Sequence, residues 1–323
     1  MTIYKKRFIL IYNKKNKNKR RGHIAPDIAF PNLGIQFQNV SRVAFTLPFG
    51  NLAIYWYAIF VSSGFFFGTW FALTKAELNG ITRDLFLNFM MIAGPVAVLL
   101  TRMYFVLFNL DMYRGNWVSI FAFRDGGMGV YGGIIGAFIS CFGFSLYQAK
   151  VKKRGTTTEM MGRIGDTGSV GLLLGQILGR MGNFTNQEAF GGYTDNLFAM
   201  QLKVSNIPDR SLITEEMWQN ANIINGVQVV QVHPAFLYEI MLNAAIMAFL
   251  LWYRRHKKFF GEQLLFYAAA YSFGRFFIER LRTDPLYFWG TSIPASMVTA
   301  AVMFSVATTL IIINRIRVRK KHA

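Results

Sequence analysis

Seven stretches of about twenty mainly apolar residues recur along this chain, and each is long enough to cross a lipid bilayer as an α-helix. A helix rises about 1.5 Å per residue, so a hydrocarbon layer of roughly 30 Å needs about 20 such residues. Backbone polar groups must be satisfied internally in lipid, which favours helices. The sequence therefore predicts an all-α polytopic membrane protein of about seven transmembrane helices, near residues 51–73, 85–108, 128–147, 167–184, 234–253, 263–281 and 286–313.

Charge is scarce in this sequence, and it is clustered. Only 16% of the 323 residues are charged and 53% are hydrophobic, whereas an average soluble domain carries roughly 25% charged residues. The net charge of +19 comes mostly from the tails and the short connections between spans. Basic segments beside apolar spans favour contact with anionic membrane lipid, so nucleic acid is not an expected partner.

The basic clusters also predict an orientation. They follow the third, fifth and seventh spans, at residues 150–154, 254–258 and 315–321. Loops rich in Lys and Arg lie on the cytoplasmic side, so these three regions are predicted to be cytoplasmic. Seven spans then place the N-terminus outside, which the basic N-terminal segment opposes. An even number of spans, or a re-entrant segment, is the alternative.

Two segments lie outside the apolar spans. Residues 1–50 contain a Lys- and Arg-rich block mixed with Asn, which predicts a disordered basic arm. Residues 191–232 form a long polar connection, predicted to be a small extracytoplasmic head because loops beyond about 15 residues are usually functional or partly folded. A transmembrane domain is expected over residues 51–323, with this head inserted in it.

The fourth span ends in Gly-Arg-Met-Gly-Asn-Phe-Thr-Asn-Gln-Glu-Ala-Phe-Gly, residues 179–191. This segment places Arg180, Asn183 and Glu188 at the membrane edge. A charge at the bilayer centre costs about 2.5–3.5 kcal/mol, which favours a function for Arg180; the alternative is snorkelling to the interface. Glycines spaced by three and four precede the segment, a pattern typical of close helix packing: Gly168, Gly171, Gly175, Gly179 and Gly182.

Other spans carry charged residues too. The sixth contains Arg275, Glu279 and Arg282 at i, i+4 and i+7, on one helix face. Its first two charges are expected either to satisfy each other or to line a polar cavity. The fifth opens with His-Pro-Ala-Phe-Leu-Tyr-Glu, residues 233–239, in which proline suits a helix start. Its last residue, Glu239, is placed to orient an arginine.

Three further features lie near the ends of the first three spans. The third span opens with Phe-Arg-Asp-Gly-Gly-Met-Gly-Val-Tyr-Gly-Gly, residues 123–133, which includes Tyr131. Trp56 and Tyr57 lie in the first span, and Arg102 lies in the second. Arg102 suits either a functional role or an ordinary position at a helix end.

Taken in order, these motifs resemble those of the prolipoprotein diacylglyceryl transferase family, over about residues 51–320. The segment 179–191 is the most specific of them, and the His-Pro-x-x-x-Tyr-Glu segment, the Arg275 region, the Trp-Tyr pair and Arg102 support it. The chain departs from the family pattern at Tyr131, where many members have His, and slightly at Thr185.

The resemblance implies a bacterial plasma-membrane enzyme that transfers diacylglyceryl from phosphatidylglycerol to the lipobox cysteine of a prolipoprotein and releases glycerol-1-phosphate. Its partners would be that lipid and prolipoprotein signal peptides. Tyr131 is expected to donate a hydrogen bond to the headgroup, with His233 or the positive field of the site helping to ionise the thiol; the alternative is that neighbouring Arg residues favour its phenolate and make it the base. The expected catalytic residues are Arg180, Arg275, Tyr131 and His233, and the expected substrate-binding residues are Arg180, Asn183, Glu188, Tyr57, Glu239 and Glu279.

No cofactor or metal is expected. The single Cys141 cannot form a disulfide or a thiolate metal site within one chain, and the four His residues have no metal-ligand spacing. A membrane lipid or solute transporter is the alternative function, since charged and Gly-rich spans suit one, but the internal repeats that would support it are not found. A non-catalytic scaffold would not need Arg, Asn and Glu at membrane depth.

Overall fold

The computed structural model describes residues 25–48, 50–122, 126–285, 287, 291 and 293–322. Within them, a long helix lies at each of the seven predicted spans: α1 Trp56–Leu73, α2 Arg83–Phe108, α3 Val130–Lys150, α4 Thr157–Asn186, α5 Ala235–Tyr253, α6 Glu262–Glu279 and α7 Ala295–His322. Five of them, α1, α2, α3, α5 and α7, are long and apolar enough to cross a membrane.

The surfaces of these helices are apolar where they face outward. Phe66 on α1 is 66% exposed, Leu107 on α2 65% and Val302 on α7 55%. Apolar patches of this extent are not stable in water and mark a surface that contacts lipid or protein. The chain is accordingly a multi-pass membrane protein.

Helix α4 is longer than the sequence predicted. It begins at Thr157 rather than near residue 167, because the Thr156 side chain accepts a hydrogen bond from the backbone N–H of Glu159 and caps the helix. It ends at Asn186, where Gln187 adopts a left-handed conformation with φ 54°. The extra turns carry Arg163 and Asp166, so an apolarity pattern could not detect them.

The chain is mostly helical, as predicted, but it is not all-α, because the described residues outside the long helices form two antiparallel sheets. One sheet has the strand order β2-β1-β5-β7-β6 and the other pairs β3 with β4. The strands are β1 Ile28–Phe30, β2 Ile35–Phe37, β3 Val43–Leu47, β4 Leu52–Tyr55, β5 Met200–Lys203, β6 Asn222–Ile224 and β7 Val227–Val232, and a short helix covers Glu215–Gln219.

The disordered arm expected over residues 1–50 is also wrong for the part that the structure describes. Residues 28–47 contain three strands, and β1 pairs with β5, about 170 positions further along the chain. A strand of three residues is too short to show an alternating pattern, and its partner is remote, so local sequence could not reveal it. The basic block at residues 14–21 lies outside the described residues.

The chain divides into two compact units. The first, called the head unit here, comprises the described residues up to Val40 together with Gly192–His233. Its core contains Ile28, Leu202 and Met217, which are fully buried. Asp27 accepts a hydrogen bond from Lys203 Nζ at 2.7 Å. Burial by itself raises the pKa of Asp27, but the hydrogen bonds from Lys203, Val40 and Asn206 outweigh it and leave that pKa below its usual value.

The second unit comprises residues 41–191 and 234–322 and contains the seven long helices. Glycines set the contact between α1 and α4. A Cβ added at Gly64 would lie 2.8 Å from the carbonyl oxygen of Gly175, and one added at Gly68 would lie 2.5 Å from that of Gly171. The close packing predicted from the glycine spacing is therefore confirmed at Gly171 and Gly175.

We expect Gly171→Ala to destabilise the protein by about 1–3 kcal/mol, because the added methyl group would contact the Gly68 carbonyl and the Ala72 side chain. The matched control is Gly168→Ala, three residues away on α4, where the nearest atom to an added Cβ is Phe86 Cζ at 3.9 Å. That control should be neutral or slightly stabilising, since alanine favours a helix by about 0.5–1 kcal/mol over glycine. Thermal unfolding in detergent measures both, and equal effects would contradict the packing assignment.

Candidate active site

Three helices of the second unit contribute charged side chains to one buried network, called the arginine–glutamate network here. Glu239 of α5 is its centre and is only 1% exposed. Its Oε2 pairs with Nη2 of Arg180 from α4, and its Oε1 pairs with Nη1 of Arg275 from α6. Nη2 of Arg275 also pairs with Oε2 of Glu279 at 2.5 Å.

The network brings together residues that are distant in sequence. Glu239 lies in the second turn of α5, Arg180 in the last turns of α4, and Arg275 near the end of α6. The three positions meet because α5 runs antiparallel to α4 and α6, so that its start lies beside their ends. The side chains of Arg180 and Arg275 keep exposed fractions of 24% and 16%, which leaves part of each guanidinium accessible.

Arg282 lies at the edge of this network. The sequence placed it on one helix face with Arg275 and Glu279, but α6 ends at Glu279 and Arg282 lies beyond it, in an isolated β-bridge with Gly191. Its Nε and Nη2 donate to Asp284 at 2.9 and 2.7 Å, whereas its Nη1 is 4.0 Å from Glu239 Oε1. The shared face is therefore confirmed for the first two residues only, because the helix does not continue.

The segment 179–191 folds into a chain of polar contacts at the end of α4. Arg180 Nη1 donates to Asn183 Oδ1 at 3.2 Å, one turn along the helix. Asn183 Nδ2 donates in turn to Glu188 Oε1 at 3.0 Å, and Asn186 Nδ2 donates to the same oxygen at 3.1 Å. The left-handed Gln187 reverses the backbone so that Glu188 returns to the helix end. Asn183 and Glu188 thus support the position of Arg180.

Tyr57 packs directly against this end of α4. A Cβ added at Gly182 would lie 2.6 Å from Tyr57 Cδ2, so only glycine lets the ring approach so closely. Tyr271, which the sequence pattern did not single out, lies close to Arg180. Its signal was present, because Tyr271 precedes Arg275 by four residues and so lies on the same face of α6.

Arg102 has a structural role in the connection between α2 and α3. It is 3% exposed, and its guanidinium donates to the carbonyls of Ser119, Ile120, Gly126 and Gly127 at 2.5–3.0 Å. Gly126 and Gly127 both have positive φ angles, of 82° and 70°. The Gly-Gly pair of the 123–133 motif is therefore a backbone requirement, while Phe123, Arg124 and Asp125 lie outside the described residues.

Among the described residues, no given contact joins Tyr131 to the network, and the given contacts of His233 lie within its own unit. Tyr131, in the first turn of α3, packs against Tyr104 with ring centroids 6.0 Å apart. His233 belongs to the head unit, where its backbone N–H donates to Gly192 O at 3.0 Å and its Nδ1 lies 3.5 Å from Asn196 Nδ2. Burial lowers the pKa of His233, so its imidazole is neutral near pH 7. Within the described residues, no group of three or more His, Cys, Asp or Glu side chains could hold a metal ion.

Fold and site together define a class: a multi-pass membrane protein with a buried, partly accessible arginine–glutamate network near one end of its helix bundle. Apolar helices that present their side chains outward mark the membrane surface. Charged residues inside such a bundle mark functional sites by default.

Comparison with known proteins identifies the family. The sequence model of the prolipoprotein diacylglyceryl transferase family matches residues 42–313. A phosphatidylglycerol--prolipoprotein diacylglyceryl transferase of Oceanobacillus iheyensis is 36% identical over 284 residues, 88% of this chain and 91% of the relative. One of Bacillus cereus strain Q1 is 37% identical over 267 residues, 83% of this chain and 90% of the relative. The chain belongs to the prolipoprotein diacylglyceryl transferase family.

We expect Glu239→Gln to destabilise the protein by about 3 kcal/mol or more, because it removes a buried carboxylate that compensates two largely buried guanidinium groups. Glu77→Gln is the matched control, since Glu77 pairs with Arg83 at 3.2 Å on the surface, where its side chain is 68% exposed. That exposed pair should contribute less than about 1 kcal/mol. Unfolding by heat or SDS in detergent measures the difference, and a Glu239→Gln protein as stable as the control would contradict a central role for Glu239.

Proposed function

We propose that this chain transfers the diacylglyceryl group of phosphatidylglycerol to the lipobox cysteine of a prolipoprotein and releases glycerol-1-phosphate. The observation that carries the proposal is the pair of arginines, Arg180 and Arg275, held by Glu239 inside a bundle of this family. The activity is also the one named for the two relatives from Oceanobacillus and Bacillus.

The arginine pair suits the phosphate of the lipid. A guanidinium presents its donors in a planar fork that matches two phosphate oxygens, and it keeps its charge at every physiological pH. Both side chains are partly exposed, so a headgroup can reach them. Glu239 and Glu279 fix the orientation of the guanidinium groups. Asn183 contacts Arg180 directly, and Glu188 holds Asn183 in place. Tyr57 closes the same end of α4 and is proposed to contact the headgroup.

The reaction replaces a carbon–oxygen bond with a carbon–sulfur bond. The sulfur of the lipobox cysteine attacks the glycerol carbon of the diacylglyceryl group that bears the phosphate. The bond from that carbon to the phosphate oxygen breaks, and the electron pair leaves with glycerol phosphate. Negative charge grows on the departing phosphate in the transition state, where Arg180 and Arg275 stabilise it.

The thiol must lose its proton for this attack, because the thiolate is the nucleophile and a free cysteine titrates near 8.5. Tyr131 is proposed to donate a hydrogen bond to the headgroup rather than to take the proton, since its phenolic O–H is a hydrogen-bond donor. His233 is the proposed alternative acceptor. Its neutral imidazole has the protonation state that a base requires.

We propose seven membrane spans, with the network at the outer side of a bacterial plasma membrane. The basic clusters at residues 150–154 and 254–258 follow α3 and α5, at the end of the bundle opposite the network. The positive-inside rule assigns that end to the cytoplasm. The network and the segment 192–233 then lie on the side where an exported prolipoprotein arrives.

We expect Arg180→Lys and Arg275→Lys each to lower the transfer rate by about 10²–10³-fold, because lysine keeps the charge but lacks the planar fork. The measurement is release of glycerol phosphate by purified protein given phosphatidylglycerol and a lipobox peptide. Arg114→Lys is the control, since Arg114 pairs with Asp111 on the surface and its side chain is 78% exposed. Near-wild-type turnover by Arg180→Lys would overturn the assignment, and transport without release would favour a transporter.

We expect a cysteine at Ser211, in a Cys141→Ser background, to react with an impermeant thiol reagent in intact cells. Ser211 is an exposed residue of the head unit. Lys152→Cys, exposed after α3, should react only after lysis. The reverse pattern would place the basic clusters outside and contradict the proposed orientation.

A further inference from the structure

A cavity of about 210 Å³ lies at the end of the helix bundle opposite the arginine–glutamate network. Lys75 after α1, Asp166 of α4, Arg254 and Arg255 after α5, and Gln263 of α6 are among its lining residues. Gln263 and Arg275 are twelve residues apart on α6, or about 18 Å along the helix. The cavity is therefore separate from the proposed transfer site.

The carboxylate in the cavity wall is already engaged. Asp166 is fully buried, and its carboxylate accepts hydrogen bonds from the backbone N–H groups of Gly261 and Leu264 at 2.9 and 3.1 Å, at the start of α6. Lys257 Nζ pairs with it at 3.3 Å. Lys257 also donates to Asn79 Oδ1 at 2.6 Å. Asp166 is thus neutralised locally and does not compensate the other cations of the cavity.

Three cations in the wall have no carboxylate partner within the described residues. They are Lys75, Arg254 and Arg255, and the ion pairs of the described chain do not include them. Lys75 Nζ lies 5.1 Å from the centre of the Phe71 ring, a contact that leaves its charge unbalanced. An excess of positive charge in a concave site raises the local concentration of anions.

The Arg254 side chain carries the clearest sign of a missing partner. Its Nη1 atom is buried and has no hydrogen-bond partner among the described residues. A buried donor without a partner is destabilising, and more so when it is charged. A position at the end of α5 suits a cation, because the helix dipole is negative there, but that effect supplies no acceptor for Nη1. A phosphate oxygen would supply that acceptor.

The cavity also lies where a lipid headgroup would be. Trp252, two residues before Arg254, is 64% exposed, and Leu78 in the cavity wall is 61% exposed. Tryptophan beside cations is typical of the membrane–water interface. A volume of about 210 Å³ has room for a phosphate group with several waters, since one water occupies about 30 Å³ of the liquid.

We propose that this cavity is a second anion site, which binds a phosphate group through Lys75, Arg254 and Arg255. The phosphate belongs either to a phospholipid headgroup of the adjacent leaflet or to a small soluble phosphate compound. The site is additional to diacylglyceryl transfer and does not depend on that assignment, because none of its residues belongs to the arginine–glutamate network.

The test compares Arg254→Gln with Arg317→Gln in the full-length protein purified in detergent. Arg317 is exposed on α7, carries the same charge and does not line the cavity. Two probes are titrated separately: dioctanoylphosphatidic acid, followed by native mass spectrometry, and inorganic phosphate, followed by the shift of the thermal unfolding midpoint. We expect Arg254→Gln to weaken binding about tenfold, or about 1.4 kcal/mol, and Arg317→Gln to leave it unchanged.

The two probes distinguish the sources. Weaker lipid binding by Arg254→Gln without any response to inorganic phosphate identifies a headgroup site, and weaker binding of both probes identifies a site open to soluble phosphate. Equal binding by wild type and Arg254→Gln overturns the proposal. If Arg254→Gln aggregates on gel filtration, Arg254→Lys and Lys75→Gln replace it: lysine at 254 should retain part of the affinity, and Lys75→Gln should lose it. Transfer activity should persist in each folded variant, so loss of this site and loss of the proposed function are separable.

Discussion

One buried carboxylate holds one end of the helix bundle together. Glu239 is 1% exposed and pairs with arginines from two other helices. A buried carboxylate is stable only when it is paired and hydrogen-bonded, so α4, α5 and α6 must keep their relative positions for the charge to be tolerated. The same constraint fixes the position of both guanidinium groups, which the proposed function assigns to an anionic headgroup. Stability and the proposed chemistry thus depend on a single side chain.

Much of this arrangement could be predicted from the sequence, because a segment that crosses a membrane must be a long apolar helix. Apolar runs of bilayer length predicted all seven long helices, and glycines at spacings of three and four predicted the contact of Gly171 and Gly175 with α1. Charged residues at membrane depth, Arg180, Glu239 and Arg275, indicated the site. The contact between them could not be read from spacing alone, since Glu239 lies 36 positions from Arg275 and joins it only through antiparallel packing.

The features that the sequence did not predict are short strands and polar helix turns, because both lack a recognisable hydrophobic pattern. β1 and β2 have three residues each, too few to show alternation, and β1 pairs with a strand far along the chain. Helix α4 starts with polar turns that no apolarity pattern includes. The sequence left two roles for Arg102. The four carbonyls that accept its hydrogen bonds lie in an irregular connection, and residue spacing does not predict the course of such a segment. Tyr271 was overlooked because an aromatic residue in an apolar helix resembles ordinary core.

The glycine contact between α1 and α4 leaves no space between the backbones of these two helices. The two backbones are in direct contact there, and no side chain lies between them that could rotate aside. The contact between these two helices is therefore rigid. Separating α1 from α4 would lose these van der Waals contacts, and no new contact would replace them. For the proposed transfer, a lipid with two acyl chains and a signal helix would therefore enter and leave through openings between other helices. The rigid pair of α1 and α4 would then stay in place while neighbouring helices move.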